Sequence, residues 1–287
     1  MSALARMLPG GDRLHLQHGP IDLVVQAWGA RAEVEAALRQ ARAAFPGVLP
    51  GLCAELPRLR AGVDGAPFAG EVAERMRRAC LPLAGEGFIT PMAAVAGAVA
   101  DHVLAAMVAG RALERAYVND GGDIAFHLAS GARLSCGLVS DVAMPALDGG
   151  FVLEALMPAR GIATSGRATK GSGGRSFSLG IADAVTVLAT TAAEADAAAT
   201  IVANAVDLPA HPAIERAPAR DLEPDSDLGE RLVTTGLGAL SPAEIRAALL
   251  RGHEVAARLA RAGRILAAVL VLRGAIARVG LDARIAA

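Results

Sequence analysis

Six strand-like segments follow one another between residues 115 and 190, and no helical pattern separates them. Consecutive parallel strands need a long crossover between them, so an uninterrupted series of strands predicts antiparallel pairing. Helical patterns are grouped before and after this series. The sequence therefore predicts an α+β fold with a mainly antiparallel sheet and packed helices. The six segments are RAYVN, DIAFHLA, RLSCGLV, FVLEALM, RGIATS and ADAVTVLAT.

The helical patterns flank the strands. Amphipathic spacing over RAEVEAALRQARAAF and EVAERMRRACLPL predicts two early helices. Thr90 and Pro91 suit the N-cap and first position of a helix over about 91–109. Its many small residues allow neighbouring backbone to approach from every side, so we expect this helix to be central. Later helices are predicted over AAEADAAATIVANAV and after Ser241 and Pro242.

Proline and glycine mark the remaining segments. Residues 47–70 predict a long loop with about one helical turn, and the proline-rich, charged residues 207–230 predict an exposed connection. RLHLQHGPIDLVVQAWG predicts two strands, and RILAAVLVLRGAIARVG predicts a closing hairpin. A chain of 287 residues is long enough for one domain over 1–287, with subdomains at about 1–110 and 111–287 as an alternative.

Composition limits the classes of function. A net charge of −1 leaves no basic excess to bind nucleic acid or an anionic membrane. The longest apolar stretch contains Asp101 and His102, which favours a buried helix over a membrane span. The first residues lack a signal-peptide pattern, and the three cysteines lack paired spacing. We therefore expect a cytoplasmic protein that binds a small-molecule ligand. Assembly into a homo-oligomer is compatible with these features.

Paired glycines between two acids follow the first of the six strands. The segment YVNDGGDIAF places Asn119, Gly121 and Gly122 directly before Asp123. Asn and Gly suit a tight hairpin turn. Backbone without side chains also suits a loop that a bulky polar ligand approaches closely. Turn statistics favour the hairpin, and the ligand loop remains open.

The second candidate stretch is IATSGRATKGSGGRS. A strand runs into Thr164, Ser165 and Gly166, and a glycine-rich loop follows with three cations, among them Arg167 and Lys170. Free backbone N–H groups beside cations suit phosphate or carboxylate. Neither the P-loop pattern nor G-x-G-x-x-G occurs here. A solvated loop without a ligand is an equal alternative on composition alone.

The third stretch is ADAVTVLATTAAEADAAAT. Asp183 begins a strand, while Asp196 and Thr200 are four residues apart and so share one helix face. Carboxylate and hydroxyl oxygens suit Mg²⁺ when water and a phosphorylated ligand complete its shell. The spacing alone favours the simpler interpretation, in which Asp196 lies in the first turn of a helix and Thr200 packs.

Taken in this order, the three stretches resemble the ApbE-like superfamily, the FAD:protein FMN transferases. That superfamily carries V-N-x-G-G-D, T-S-G and A-D-x-x-x-T elements, matched here by VNDGGDI, IATSG and ADAAAT. TPMAAVAGAVAD and ADAAATIVAN bring the chain closest to an uncharacterised-protein (UPF) branch. The resemblance is strongest over residues 85–206, and it implies a single ApbE-like, T-fold-related domain.

The resemblance also implies roles for individual residues. Asp196 and Thr200 would help to hold Mg²⁺. The transferases carry an H-x-x-D-P-x-T-G stretch before the last strand of the series, where this chain has GRSFSLGIADAVTV and only Asp183 as a carboxylate. The residues that match the nucleotide cleft are Asn119, Gly121, Gly122, Asp123, Thr164, Ser165 and Gly166.

Three functions follow from the resemblance. The first is an enzyme that binds a nucleotide-, flavin- or pterin-like ligand, with a role in pterin-linked one-carbon cofactor biosynthesis. Asp123, Asp183 and Asp101 would then bind the ring or transfer protons, and Lys170 would contact an anion. The second is Mg²⁺-dependent transfer of FMN from FAD to a protein. The third is a flavin- or nucleotide-binding assembly protein without catalysis.

Overall fold

The computed structural model describes residues 2–138, 149–167 and 177–280. Its strands are β1 (Leu4–Met7), β2 (Arg13–His18), β3 (Ile21–Gly29), β4 (Leu113–Asp120), β5 (Asp123–Leu128), β6 (Arg133–Leu138), β7 (Gly149–Glu154), β8 (Gly161–Ser165), β9 (Ala184–Ala189), β10 (Ile214–Pro218), β11 (Leu232–Leu237), β12 (Ala267–Leu272) and β13 (Ala275–Val279). Its helices are α1 (Arg31–Ala44), α2 (Val48–Ala54), α3 (Leu56–Leu59), α4 (Glu71–Cys80), α5 (Val95–Val108), α6 (Ala192–Ala205), α7 (Ala219–Leu222) and α8 (Pro242–Arg261).

Within these residues, one sheet has nine strands in the order β1-β2-β3-β4-β5-β8-β9-β12-β13. Every neighbouring pair in it is antiparallel. The hairpins β6–β7 and β10–β11 form separate two-stranded sheets. The predicted α+β fold with a mainly antiparallel sheet is therefore confirmed.

The two faces of the large sheet are covered differently. The main core, on one face, takes in residues of α1, α4, α5, α6 and α8. On the other face, Phe126 and Ile162 pack with Leu153 of β7 in a smaller cluster. Successive side chains of a strand point to opposite faces. Because both faces are covered at the centre of the sheet, β9 is buried along its whole length. We refer below to the helix-facing side and the hairpin-facing side of the sheet.

Helices α5 and α6 cross in close contact at the centre of the helical layer. A Cβ atom added to Gly97 would lie 2.2 Å from the carbonyl oxygen of Ala192, so only glycine allows this approach. Each helix also caps the other. Asp101 of α5 accepts the N–H groups of Ala192 and Ala193 at 3.1 and 2.9 Å, while Asp196 of α6 accepts that of Gly97 at 3.0 Å. This reciprocal capping fixes the position of Asp196 beneath the sheet.

One helical stretch of the described residues, Pro91–Val108, is apolar and long enough to cross a membrane by length and composition. Half of it is buried within the fold, where α5 packs against α1, α4 and α6. Its burial among other helices matches the central position expected from its small residues.

Two predictions about connections are wrong in part. Residues 47–70 contain α2 and α3. The prolines of both helices lie in the first turn, where a backbone N–H would make no hydrogen bond within the helix, so proline is tolerated there. Residues 207–230 contain β10 and α7, because β10 pairs with β11 further along the chain. Thr90 precedes a 3₁₀ turn instead of the α-helix itself, and its hydroxyl donates to Asp227.

Candidate functional site

The Gly121–Gly122 pair forms the two-residue turn between β4 and β5. Both glycines have positive φ, 62° and 111°, and Asn119 Oδ1 accepts the N–H of Gly122 at 2.8 Å. A Cβ atom on either glycine would meet nothing within 4 Å, so backbone conformation and not crowding calls for glycine here. The stretch is thus a hairpin turn, and its glycine backbone is exposed to a potential ligand.

Three carboxylates converge on the helix-facing side next to this turn. Asp120 and Asp123 are paired across β4 and β5. They share the face of Val118 and Ala125, which belong to the helix-side core. Asp196 approaches from α6 in the helical layer, near enough for its charge to interact with both. We call Asp120, Asp123 and Asp196 the acidic cluster.

Burial and mutual repulsion disfavour charge on these carboxylates. Burial, helped by the neighbouring Asp123, raises the pKa of Asp120 to about 8. Burial also raises the pKa of Asp123 to about 7. The pKa of Asp196 lies well above its ordinary value because of burial and then the charges of Asp123 and Asp120. Such a cluster favours a bound cation or shared protons.

Backbone amides orient the acidic cluster. The N–H of Thr164 donates to Asp123 Oδ1 at 3.1 Å, so the end of β8 is tied to the start of β5. Asp196 accepts N–H groups of Gly97 and Ala96 at the beginning of α5. These bonds hold two carboxylates in fixed directions between the sheet and the helices.

The donor set fits Mg²⁺ only when a ligand supplies further oxygens. Across residues 2–138, 149–167 and 177–280, no three His, Cys, Asp or Glu side chains lie close enough to hold an ion by themselves. Mg²⁺ characteristically uses one or two carboxylates with water and substrate phosphates. Thr200 is half-buried one turn after Asp196 on the same face of α6. The residues present therefore fit a cation that is shared with a phosphorylated ligand.

The three residues at the end of β8 have different surroundings. Thr164 points to the hairpin-facing side, where its hydroxyl is 2.9 Å from that of Thr186, and only its N–H joins the acidic cluster. Ser165 is half-buried and shares the helix-facing side with Ala163. A Cβ atom on Gly166 would lie 2.3 Å from the carbonyl oxygen of Asp183, so close strand approach requires this glycine.

Asp183 belongs to a second group of charges. Its carboxylate accepts the backbone N–H of Arg273, in the turn between β12 and β13. Burial lowers the pKa of the Arg167 guanidinium, which Asp183 attracts and Arg273 repels. Asp183 is thus held at the start of β9 beside two cations. Lys170, the predicted anion contact, lies outside the described residues.

Comparison with known proteins decides the family. The family model described as "AbpE bacteria" matches residues 5–278. The chain belongs to this family. The resemblance to ApbE-like proteins over residues 85–206 is thereby confirmed and extended to nearly the whole chain.

Relatives of this AbpE-family chain include proteins from methanogens. UPF0280 protein MK0206 of Methanopyrus kandleri is 40% identical over 145 residues, which are 50% of this chain and 51% of that protein. A UPF0280 protein of Methanothermobacter thermautotrophicus is 36% identical over 121 residues, 42% of this chain and 44% of that protein. The match spans about half the length of these curated relatives. The predicted proximity to a UPF branch is confirmed.

A solved structure shares the fold. The flavinyl transferase ApbE of Pseudomonas stutzeri, in its apo form, superposes with a TM-score of 0.51 at 13% identity. The superposition covers 97% of this chain and 95% of that one. At this identity the likeness shows the ApbE-like fold alone.

The sequence analysis did not single out Asp120 or Arg273, which the structure brings to this region of the AbpE-family chain. Asp120 occupies a core-facing position of β4, in step with the buried Ala116 and Val118, and an acid at such a position is a signal that strand alternation could have revealed. Arg273 has no local signal, since only the pairing of β12 with β9 brings it to Asp183. Asp101 accepts helix N–H groups, which places it in a capping role at α6.

Proposed function

We propose that this protein binds a flavin nucleotide, FAD foremost, together with Mg²⁺, at a site formed by the β4–β5 turn, the end of β8 and α6. The acidic cluster carries this proposal, because the buried Asp120 and the half-buried Asp123 and Asp196 lie beside an exposed glycine turn. Such a donor set suits a cation once a phosphorylated ligand adds further oxygens. Family membership and an ApbE-like fold support a flavin as the partner of that cation.

Each part of this site has a separate task in the proposal. Asp196 and Thr200 hold Mg²⁺, which neutralises the phosphates of the nucleotide. The backbone of Gly121 and Gly122 lets the ligand approach without side-chain obstruction. Thr164 positions Asp123 through its N–H group.

Transfer of FMN to a protein hydroxyl is the second candidate, and Asp123 is the observation that favours it. A carboxyl group with a pKa of about 7 accepts a proton efficiently near neutral pH. In the transfer, the hydroxyl oxygen bonds to the FMN phosphorus and its proton passes to Asp123. The phosphoanhydride bond breaks, and AMP leaves with the bridging oxygen. The chain lacks the H-x-x-D-P-x-T-G stretch, so binding is the primary proposal and transfer the secondary one.

A ligand screen on the purified protein tests the binding proposal. Thermal unfolding is followed with FAD, FMN, GTP and a reduced pterin, each with Mg²⁺ or EDTA. A ligand at 100 times its Kd stabilises the fold by about 2.7 kcal/mol. The matched variants are Asp196→Asn, in the acidic cluster, and Asp225→Asn, whose side chain is 79% exposed.

We expect FAD to stabilise the wild type and Asp225→Asn in Mg²⁺, and to lose most of this effect in EDTA or in Asp196→Asn. If FAD stabilised the protein equally in EDTA and in Asp196→Asn, the proposed cation site would be contradicted. A response to GTP or the pterin without one to FAD would favour the pterin-linked one-carbon role, which rests on sequence resemblance alone. A flavin-sized mass increase on an acceptor protein would establish transfer. Cytoplasmic location and homo-oligomeric assembly stay predictions.

A further inference from the structure

Three charged residues lie along one edge of the sheet that is formed by strand ends, where β8 and β12 finish and β9 begins. Arg167 follows the end of β8, Asp183 precedes β9, and Arg273 begins the turn after β12. The strands β8, β9 and β12 are consecutive and antiparallel, so these ends are adjacent. The N–H of Arg167 donates to the carbonyl of Ala182 at 2.9 Å, which fixes Arg167 next to Asp183.

The Arg167 side chain is half-buried at the end of β8. Among the residues that the structure describes, no carboxylate lies within ion-pair distance of it and no side-chain hydrogen bond satisfies it. Buried polar groups normally have hydrogen-bonding partners, and a partly desolvated cation is costly when it has none. With respect to the described part of the chain, this guanidinium therefore keeps donors available for an anion.

The surrounding group keeps a net positive charge. Within the described residues, the carboxylate whose charge acts on Arg167 is that of Asp183, and it already accepts the backbone N–H of Arg273. The Arg273 guanidinium donates to the carbonyls of Leu237 and Gly238, at 2.7 and 3.3 Å, which orient it without neutralising it. Two guanidinium groups against one carboxylate leave one positive charge.

The turn geometry makes Arg273 a fixed element of this group. Arg273 and Gly274 both have positive φ, 50° and 78°, as the two central residues of a tight turn between paired Leu272 and Ala275. Left-handed backbone is rare for a residue with a side chain, and the bonds to Asp183 and to the two carbonyls offset its cost.

This edge is also the one that carries the acidic cluster. Strand β8 is antiparallel to β5, so the end of β8 and the start of β5 meet at the same edge of the sheet. The strands β5, β8, β9 and β12 are neighbours. With strands about 4.8 Å apart, β12 lies about 14 Å from β5. A nucleotide held by a cation at Asp196 can therefore reach across the edge toward Arg167.

We propose that Arg167 and Arg273 form an anion subsite for a phosphate group of the nucleotide, with Asp183 as the positioning residue that holds Arg273. Arg guanidinium groups bind phosphate oxygens in paired hydrogen bonds, which suits this chemistry. The subsite deepens the proposed function and rests on it for the identity of the nucleotide. Asp183, predicted from the sequence as catalytic, acquires a supporting role here.

Calorimetric titration with three probes tests the subsite. The probes are FAD, riboflavin, which lacks phosphate, and inorganic pyrophosphate. The variants are Arg167→Gln, Arg273→Gln and the control Arg31→Gln, whose side chain on α1 is 92% exposed. Circular dichroism and the thermal midpoint of each variant establish that it is folded. A charged hydrogen bond is lost in Arg167→Gln, so we expect FAD and pyrophosphate to bind at least about tenfold more weakly.

The outcomes separate this subsite from the proposed function. Riboflavin affinity should stay unchanged in Arg167→Gln, and Arg31→Gln should behave as the wild type with every probe. Pyrophosphate binding that depends on Arg167, with no flavin binding in the wild type, would keep the subsite and refute the proposed function. Equal affinity of the wild type and Arg167→Gln for FAD, or no pyrophosphate or FAD binding in the wild type, would overturn the subsite. If Arg273→Gln fails to fold, Arg167→Gln alone decides.

Discussion

Replacing Asp120 with asparagine tests the electrostatics of the acidic cluster. Asp120 is 9% exposed and lies between Asp123 and the N–H of Asp22, which donates to its carboxylate. Asparagine has almost the same shape but does not ionise. The substitution therefore removes one titrating group from the cluster and leaves its volume filled.

The expected magnitude follows from the pKa of Asp120. It is about 8 in the folded protein, against about 3.9 in an unfolded chain. Between these values the folded state retains a proton that the unfolded state has lost, so the free energy of unfolding falls as pH rises. One group contributes about 1.4 kcal/mol per pH unit, or about 2.7 kcal/mol from pH 5 to pH 7.

The stability contribution of the protonated carboxyl is complete below about pH 4 and disappears as pH rises toward 8. We therefore expect the free-energy difference between Asp120→Asn and the wild type to grow in favour of the variant by up to about 1.4 kcal/mol per pH unit between pH 5 and 7.

Urea unfolding at pH 5, 6 and 7 in EDTA measures this difference, with circular dichroism as the signal. The control is Asp225→Asn, because the exposed carboxylate of Asp225 should not change the pH dependence. A difference between Asp120→Asn and the wild type that stays constant over the three pH values would refute the assignment of Asp120 to a buried, repulsive cluster.

Three further substitutions test packing and capping by urea unfolding. Gly97→Ala should destabilise the fold by about 1–3 kcal/mol or more, because its Cβ atom would collide with Ala192; a neutral result would contradict the close crossing of α5 and α6. Gly51→Ala, where a Cβ atom meets nothing within 4 Å in α2, should instead stabilise by about 0.5–1 kcal/mol, and a loss would argue against helix at that position. Ser241→Ala should cost about 1 kcal/mol, since Ser241 and Glu244 form a capping box at the start of α8; an unchanged urea midpoint would show that the box contributes nothing.

Much of the local structure could be predicted because its causes are local. The Gly121–Gly122 turn follows from residues that accept positive φ. Helix α8 begins directly after its N-cap Ser241, because the capping side chains of Ser241 and Glu244 are three residues apart. The antiparallel sheet follows from strands without intervening helices. The predictions over residues 47–70 and 207–230 were partly wrong because the pairing of β10 and the acceptance of proline in α2 and α3 depend on context.

By itself, the sequence determined the fold class, the three motif stretches and the family they resemble. Only the tertiary structure decided which side chains share a site. Because side chains alternate along a strand, Thr164 lies on the hairpin-facing side and Asp120 on the helix-facing side. The crossing of α5 and α6 then places Asp196 near Asp120. Arg273 reaches Asp183 through the pairing of β12 with β9. Sequence motifs reflect what the local backbone requires. Whether charged side chains come together in one site depends instead on strand register and on helix packing between distant parts of the chain.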